Sequence, residues 1–175
     1  MRIANTVSDS IVDGPGLRFA VFTQGCPHHC PGCHNPETHD PNGGKEVPVE
    51  ELAARMGKDP LIQGLTLAGG EPFAQAADCL ILARAAHAAG WTVWTYSGYT
   101  LEAILAKGDS DWLALLEETD VLVDGPFLEK EQSYDLRFRG SRNQRLIQVK
   151  ETLAQGKPVL WTRPDPLAKF TIPES

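Results

Sequence analysis

The chain has 175 residues, of which 42% are hydrophobic and 22% charged, so it can bury the core of one compact domain and is not a disordered segment. The formal net charge is −7 and no run of Lys or Arg stands out, which argues against a nucleic-acid partner. No stretch is long and apolar enough to cross a bilayer, and no apolar h-region follows Arg2. We therefore expect a cytoplasmic protein without a membrane partner.

Hydrophobic periodicity predicts strands and helices in alternation. Strands are predicted at residues 17–22, 65–68, 92–96 and 121–123, and helices at 49–56, 75–89, 101–106 and 112–118. Such alternation is typical of an α/β fold with a mainly parallel sheet and helical crossovers. A loop is predicted at 127–140 and further short strands at 145–149 and 159–161. We expect a single domain over 1–175, with a core at about 12–150 and an extended tail at 158–175.

The polar and Cys-containing segments follow the predicted strands directly. Three cysteines come after the first strand, Gly69 to Pro72 after the second, Ser97 after the third and Asp124 after the fourth. Ligands of open α/β sheets bind outside the carboxyl ends of the strands. The sequence therefore predicts one site at this edge of the sheet.

The cysteine loop has the spacing C-x3-C-x2-C, formed by Cys26, Cys30 and Cys33. Three cysteines within eight residues indicate metal binding when the compartment is reducing. Thiolates select iron–sulfur clusters or zinc. A 4Fe–4S cube held by three thiolates keeps one iron free for a substrate.

A structural zinc site is the alternative for this loop, with His28, His29 or His34 as a fourth ligand. Zinc sites of this kind usually use a second cysteine pair further along the chain. The remaining cysteine, Cys79, stands alone in a predicted helix and is interpreted as a small core residue. The loop by itself favours the cluster but leaves zinc open.

The segment Gly69-Gly70-Glu71-Pro72 follows the second predicted strand. Two glycines allow a ligand to approach the backbone closely, and free carbonyls together with Glu71 could hold an ammonium group. The alternative is a plain strand-to-helix turn with Pro72 in the first turn. Its position after the cysteine loop makes the binding interpretation the stronger one.

These motifs resemble the radical S-adenosylmethionine superfamily, and within it the activating proteins of anaerobic (class III) ribonucleoside-triphosphate reductases. The matching segments are 13–18, 25–35, 65–72, 94–99, 120–127 and 139–145. One departure is Gly32, because the position before the third cysteine is usually aromatic in the superfamily. The reductase-activating branch tolerates glycine at this place.

The resemblance implies a partial (β/α) barrel with a curved, mainly parallel sheet, and it implies roles for individual residues. Cys26, Cys30 and Cys33 would each ligate one iron, and the fourth iron would hold S-adenosylmethionine. The residues implied to contact this cofactor are Gly32, Cys33, His34, Gly69, Gly70, Glu71, Ser97 and Asp124. Ser97 and Asp124 have a second interpretation as plain turn residues. Arg139 to Arg145 could dock an acidic or carboxyl-terminal segment of the partner, and the alternative for this stretch is a solvated loop.

The activity implied by the resemblance is reductive cleavage of S-adenosylmethionine to a 5′-deoxyadenosyl radical. That radical would take a hydrogen atom from a glycine of the partner, the catalytic subunit of an anaerobic ribonucleotide reductase. An electron donor such as flavodoxin or ferredoxin would supply the electron. Two alternatives stay open: an activase of another glycyl-radical enzyme, of the pyruvate formate-lyase type, and a zinc-stabilised binding module without catalysis.

Overall fold

The computed structural model describes residues 1–162, in which seven strands form one sheet and five α-helices pack beside it. The strands are β1 (Arg2–Ser10), β2 (Arg18–Thr23), β3 (Lys45–Glu46), β4 (Gly64–Gly69), β5 (Thr92–Tyr96), β6 (Val121–Asp124) and β7 (Arg145–Gln148). The helices are α1 (Val49–Ala53), α2 (Ala76–Ala88), α3 (Leu101–Lys107), α4 (Ser110–Glu117) and α5 (Val149–Gln155). The strand order is β3-β1-β2-β4-β5-β6-β7, and the sheet is open.

The four middle strands β2, β4, β5 and β6 are parallel to one another, so their carboxyl ends meet at one edge. This confirms the predicted α/β class and mainly parallel sheet. The antiparallel pairs lie at the flanks of the sheet, where β1 pairs with β2 and with β3, and β7 pairs with β6.

The four middle strands lie where the sequence predicts them, whereas β1, β3 and α5 were not predicted. The sequence of β1 is RIANTVSDS, which contains few strongly β-forming residues. One face of this strand is partly exposed, so polar residues are tolerated there. β3 has two residues and exists through its pairing with β1. Helix α1 ends at Ala53, earlier than predicted, and the chain continues in turns to Gly57 at φ 73°.

Side chains of the sheet alternate between two apolar layers. Phe19, Leu65 and Val93 belong to the large core between the sheet and the helices. Trp94 and Val123 face the opposite side, where Trp94 packs against Phe138 and Trp161. Burial on both faces explains why β4 and β6 read as continuous apolar runs.

Arg18 is fully buried at the amino end of β2 and ties the preceding turn to the sheet. Its guanidinium donates to the Thr66 hydroxyl at 2.7 Å, to the Leu65 carbonyl at 2.6 Å and to the Pro15 carbonyl at 3.3 Å. Burial lowers the pKa of Arg18 to about 10 despite the nearby acidic groups. A side chain at Gly14 would lie 2.7 Å from the Arg18 Cδ, which explains why a glycine occupies this position.

The segment after α5 returns to the edge of the sheet. Leu160 forms an antiparallel bridge with Ile147, and the Trp161 N–H donates to the Leu146 carbonyl at 2.7 Å. The short strand predicted at 159–161 is therefore present as a single bridge. Residues 163–175 of the predicted extended tail lie outside the described residues.

In the described part of the chain, no helix has both the length and the apolar character needed to cross a membrane.

A charged cluster lies at the amino ends of β5 and β6, on the side of the sheet away from the cysteine loop. The His87 imidazole contacts the Glu118 carboxylate at 2.9 Å and the Asp120 carboxylate at 3.2 Å, and Arg84 contacts Glu118 at 3.3 Å. Burial would lower the pKa of His87, but hydrogen bonds to Asp120 and Glu118 and their charges raise it above its ordinary value.

We predict that His87 stabilises the fold mainly at low pH. A raised pKa in the folded state gives stability that is fully present below the unfolded value of about 6.5 and is lost as pH rises through the folded value. Urea unfolding of the wild type and of His87→Gln should therefore differ most well below pH 6.5, and the difference should shrink as the pH rises through the raised pKa of His87. A difference that stays constant with pH would contradict this.

Candidate functional site

A cleft of about 210 Å³ lies at the carboxyl ends of β2, β4 and β5. Three of its walls come from the predicted segments: the cysteine loop, the two glycines at the end of β4 and the turn after β5. The lining residues of the cleft are Asp13, Phe22, Cys26, His28, Cys30, Cys33, His34, Asn35, His39, Ala68, Gly69, Gly70, Tyr96, Ser97, Gly98, Phe127, Gly140 and Gln144. The structure thus brings all three candidate cysteine ligands to one cleft.

Backbone hydrogen bonds anchor the start of the cysteine loop. The Gly25 N–H donates to the Thr38 carbonyl at 2.8 Å, and the Cys26 N–H donates to the His39 carbonyl at 3.2 Å. The Gln24 side-chain amide donates to the Asp40 carbonyl at 2.8 Å. The loop is therefore held against the segment that follows it, and the first cysteine has a fixed backbone position.

The second and third cysteines are joined by a tight turn. The Cys33 N–H donates to the Cys30 carbonyl at 3.1 Å across Pro31 and Gly32, and Gly32 has a φ of 70°. Pro followed by a residue at positive φ is the sequence of a type II turn, which requires glycine at its third position. The departure at Gly32 thus has a backbone reason. Gly32 is exposed, and a side chain on it would lie 3.1 Å from the Glu129 carboxyl.

Backbone N–H groups point at two of the three sulfur atoms. Burial raises the pKa of the Cys26 thiol, while the N–H groups of His28 and His29 act in the opposite direction. The Asn35 N–H donates to the Cys33 sulfur at 3.4 Å. Hydrogen bonds to sulfur stabilise thiolate ligands and tune iron–sulfur clusters, so these contacts suit a metal-bound state of the loop.

The ends of β2 and β4 are in direct backbone contact. Gly69 has a φ of 92°, and a side chain on it would lie 2.7 Å from the Phe22 Cα. The Gly70 N–H donates to the Thr23 carbonyl at 2.8 Å, and a side chain on Gly70 would overlap the Gly25 carbonyl. The two glycines therefore allow the cysteine loop to lie against β4, and both also line the cleft.

Glu71 is fully buried behind the cleft, and four protein groups satisfy its carboxylate. The donors are the Phe73 N–H at 3.0 Å, the Ser97 hydroxyl at 3.0 Å, the Gly98 N–H at 2.9 Å and the His28 Nε2 at 2.7 Å. Glu71 also caps the short 3-10 helix Pro72–Gln75. Its carboxylate thus joins three segments of the site, and a direct contact with a cofactor stays a prediction.

Ser97 lines the cleft, whereas Asp124 is buried beside it with 1% of its surface exposed. The Asp124 carboxylate accepts the Leu101 N–H at 2.8 Å, at the start of α3, and it forms an ion pair with Arg145. Arg145 also contacts Glu102 at 2.7 Å. The geometry supports the turn-capping interpretation of Asp124, and its contact with a cofactor also stays a prediction.

The loop after β6 covers one side of the cysteine turn. His34 packs against Phe127 with the ring centroids 4.8 Å apart, and its Nε2 lies 3.4 Å from the Gln132 amide. Gly140 is close to both rings, because a side chain there would lie 2.9 Å from His34. Gln144 lines the cleft and accepts the Gly140 N–H at 2.9 Å.

Several lining residues were not predicted as site residues from the sequence. Asp13 belongs to the hairpin before β2, Tyr96 ends β5, and His39 follows a 3-10 helix. Asp13 and Tyr96 fall within segments that carry the resemblance, which implies no role for either. For His39, no short-range pattern separates a lining side chain from an ordinary one, because the fold alone brings it to the cleft.

The cleft suits a sulfur-ligated group. Its three thiols are soft ligands, and the Nε2 of His39 is buried without a protein partner although that side chain lines the same cleft. Among residues 1–162, no three His, Cys, Asp or Glu side chains are arranged to hold a single metal ion. The choice between a cluster and zinc therefore depends on the family to which the chain belongs.

The comparison with family models decides this choice in favour of an iron–sulfur protein with a single cluster. Residues 12–147 match the family model described as "4Fe-4S single cluster domain". The chain therefore belongs to this family, and within it to the group of the relatives below.

Curated relatives share one name, anaerobic ribonucleoside-triphosphate reductase-activating protein. The protein from Salmonella typhimurium is 35% identical over 152 residues, which covers 82% of this chain and 96% of the relative. The protein from Vibrio cholerae is 36% identical over 77% of this chain and 89% of its own length. The protein from Enterobacteria phage T4 is 36% identical over 77% of this chain and 86% of its own length.

We predict that Cys30→Ala abolishes cluster binding, whereas Cys79→Ala retains it. Cys79 is a matched control because it is fully buried in α2, where burial raises the pKa of its thiol and keeps it neutral. Iron and sulfide content after anaerobic reconstitution measures both variants. Loss of the cluster from Cys79→Ala alone would contradict the ligand assignment.

We predict that Gly69→Ala destabilises the protein much more than Gly90→Ala. Both glycines have positive φ, at 92° and 76°, but a side chain at Gly90 meets nothing within 4 Å, whereas one at Gly69 meets the backbone of Phe22. Gly90→Ala should cost about 1 kcal/mol from backbone strain, and Gly69→Ala at least about 2 kcal/mol more from overlap. Urea unfolding measures both, and equal losses would contradict the close approach of β2 and β4.

Proposed function

We propose that this chain activates an anaerobic ribonucleotide reductase by generating a glycyl radical on its catalytic subunit. The observation that carries the proposal is the cleft in which Cys26, Cys30 and Cys33 face Gly69 and Gly70. The family match and the shared name of the relatives support the assignment of the partner. The enzyme would be a cytoplasmic radical S-adenosylmethionine oxidoreductase, and its open sheet would be a partial (β/α) barrel of that type.

The cofactors of this proposal are a 4Fe–4S cluster and S-adenosylmethionine. When bound and reduced by a donor such as flavodoxin or ferredoxin, the cluster supplies the electron that splits S-adenosylmethionine into methionine and a 5′-deoxyadenosyl radical, which takes hydrogen from the partner's glycine. The chain's own task is to bind, orient and exclude water. Three thiolates would hold three irons, so that the fourth accepts the amine and carboxylate of S-adenosylmethionine.

Backbone groups of the cleft would position the rest of that cofactor. Gly69 and Gly70 line the cleft without side chains, so their peptide groups can approach the methionine amine. Cys33, His34 and Ser97 line it as well, and we propose them as neighbours of the same ligand. Glu71 and Asp124 would act indirectly. Glu71 would hold the cysteine loop and the turn after β5 in place, and Asp124 would hold the start of α3.

The proposal is tested by anaerobic reconstitution with iron and sulfide, followed by reduction with S-adenosylmethionine present. We predict about four irons per chain and formation of 5′-deoxyadenosine. With the catalytic subunit of an anaerobic ribonucleotide reductase added, electron paramagnetic resonance should show a glycyl radical. The Cys30→Ala variant serves as the control and should give neither product.

The alternatives give different results in the same experiment. An activase of the pyruvate formate-lyase type would form 5′-deoxyadenosine and place the radical on pyruvate formate-lyase but not on the ribonucleotide reductase. A zinc-stabilised binding module would hold zinc, remain colourless and form no 5′-deoxyadenosine. Either result would contradict the proposed function.

A further inference from the structure

The side chain of His28 leaves the cysteine loop and reaches the buried carboxylate of Glu71. The Nε2 of His28 lies 2.7 Å from the Glu71 Oε2, and 16% of the His28 side chain is exposed. A carboxylate only accepts hydrogen bonds, so Nε2 carries the proton and donates it. The contact spans 43 residues of sequence and joins the loop between two cysteines to the end of β4.

The turn after β5 is built around the same ring. The Gly98 N–H and the Ser97 hydroxyl donate to Glu71, and a side chain on Gly98 would overlap the His28 imidazole. Tyr99 packs edge-on against His28 with the ring centroids 4.4 Å apart. His28 is thus held on one side by a carboxylate, on another by a glycine backbone and on a third by an aromatic ring.

This packing continues into the core. Tyr99 lies 4.8 Å from the Trp112 ring of α4, and Trp112 lies 5.3 Å from Phe73 in the 3-10 helix that Glu71 caps. Trp112 and Phe73 are both buried. The imidazole therefore rests on a rigid support, since the core behind it is closely packed.

We infer that His28 is a positioning residue that, through Glu71, sets the distance between the cysteine loop and the ends of β4 and β5. The cysteine loop would bind the cluster on one side of the cleft, and Gly69, Gly70 and Ser97 would contact S-adenosylmethionine on the opposite side. His28 therefore controls how well the cofactor fits between them. The inference rests on the proposed function for its ligand, but the contact among His28, Glu71 and Gly98 does not.

The test compares variants at His28 with a matched control in the same loop. His28→Ala removes the donor, His28→Gln keeps an N–H at a similar reach, and His29→Asn changes the neighbouring histidine. His29 has a φ of 46° and packs on His39, so Asn, which tolerates this conformation, preserves its backbone. Each protein is reconstituted anaerobically, and its iron content and affinity for S-adenosylmethionine are measured.

We expect all three variants to bind about four irons per chain, because the three cysteines are intact. The concentration of S-adenosylmethionine that perturbs the resonance signal of the reduced cluster should rise about tenfold or more in His28→Ala, since a charge-assisted hydrogen bond is lost. His28→Gln should recover most of the affinity, and His29→Asn should stay within about twofold of the wild type. Wild-type affinity in His28→Ala would overturn the inference. Loss of the cluster in His28→Ala would overturn it as well, because it would make His28 a ligand.

A second variant tests the contact without any cofactor. Gly98→Ala introduces a methyl group against the imidazole and should lower the thermal unfolding midpoint in the wild-type background. The same change should have little effect in His28→Ala, because the ring it meets is gone. Equal shifts in both backgrounds would overturn the inference. The wild type could fail to bind a cluster while the two shifts in unfolding midpoint differ as expected. That result would contradict the proposed function but would support the contact among His28, Glu71 and Gly98.

Discussion

The cleft depends on one buried carboxylate, Glu71, which joins three segments that are far apart in sequence. It accepts hydrogen bonds from the cysteine loop through His28, from the 3-10 helix through Phe73, and from the turn after β5 through Ser97 and Gly98. A buried carboxylate with fewer partners would be costly, because removing a charge from water needs full compensation. The three segments are therefore coupled, since moving any one of them removes a hydrogen-bond donor from the buried charge.

The glycines explain how the segments come close enough to share this carboxylate. Gly69 and Gly70 allow the end of β4 to touch the backbone after β2, and Gly98 leaves room for an imidazole. Gly32 serves a different purpose, since it allows the turn that brings Cys33 back beside Cys30. The site is thus made mostly from backbone positions, with the three thiols as its chemical groups.

Much of this arrangement could be predicted from the sequence, because local signals carry it. The apolar runs of β4 and β6, the Ala-rich helix α2 and the C-x3-C-x2-C spacing each fall within short windows. Strand β1 could not be predicted, because its residues have a weak β-strand propensity and its pairing with β2 stabilises it. The role of Glu71 could not be foreseen either. Its hydrogen-bond partners depend on the tertiary fold. A Gly-Gly-Glu-Pro segment has the same sequence whether the carboxylate faces a ligand or the protein interior.

The central claim is that three thiolates hold a 4Fe–4S cube and leave one iron open. Mössbauer spectroscopy of the protein reconstituted with ⁵⁷Fe tests this most directly. Addition of S-adenosylmethionine should change the parameters of about one quarter of the iron and leave the rest unaltered, because on this account only one iron of the cube would lack a thiolate. A spectrum in which all four irons respond alike, or in which none responds, would contradict the account.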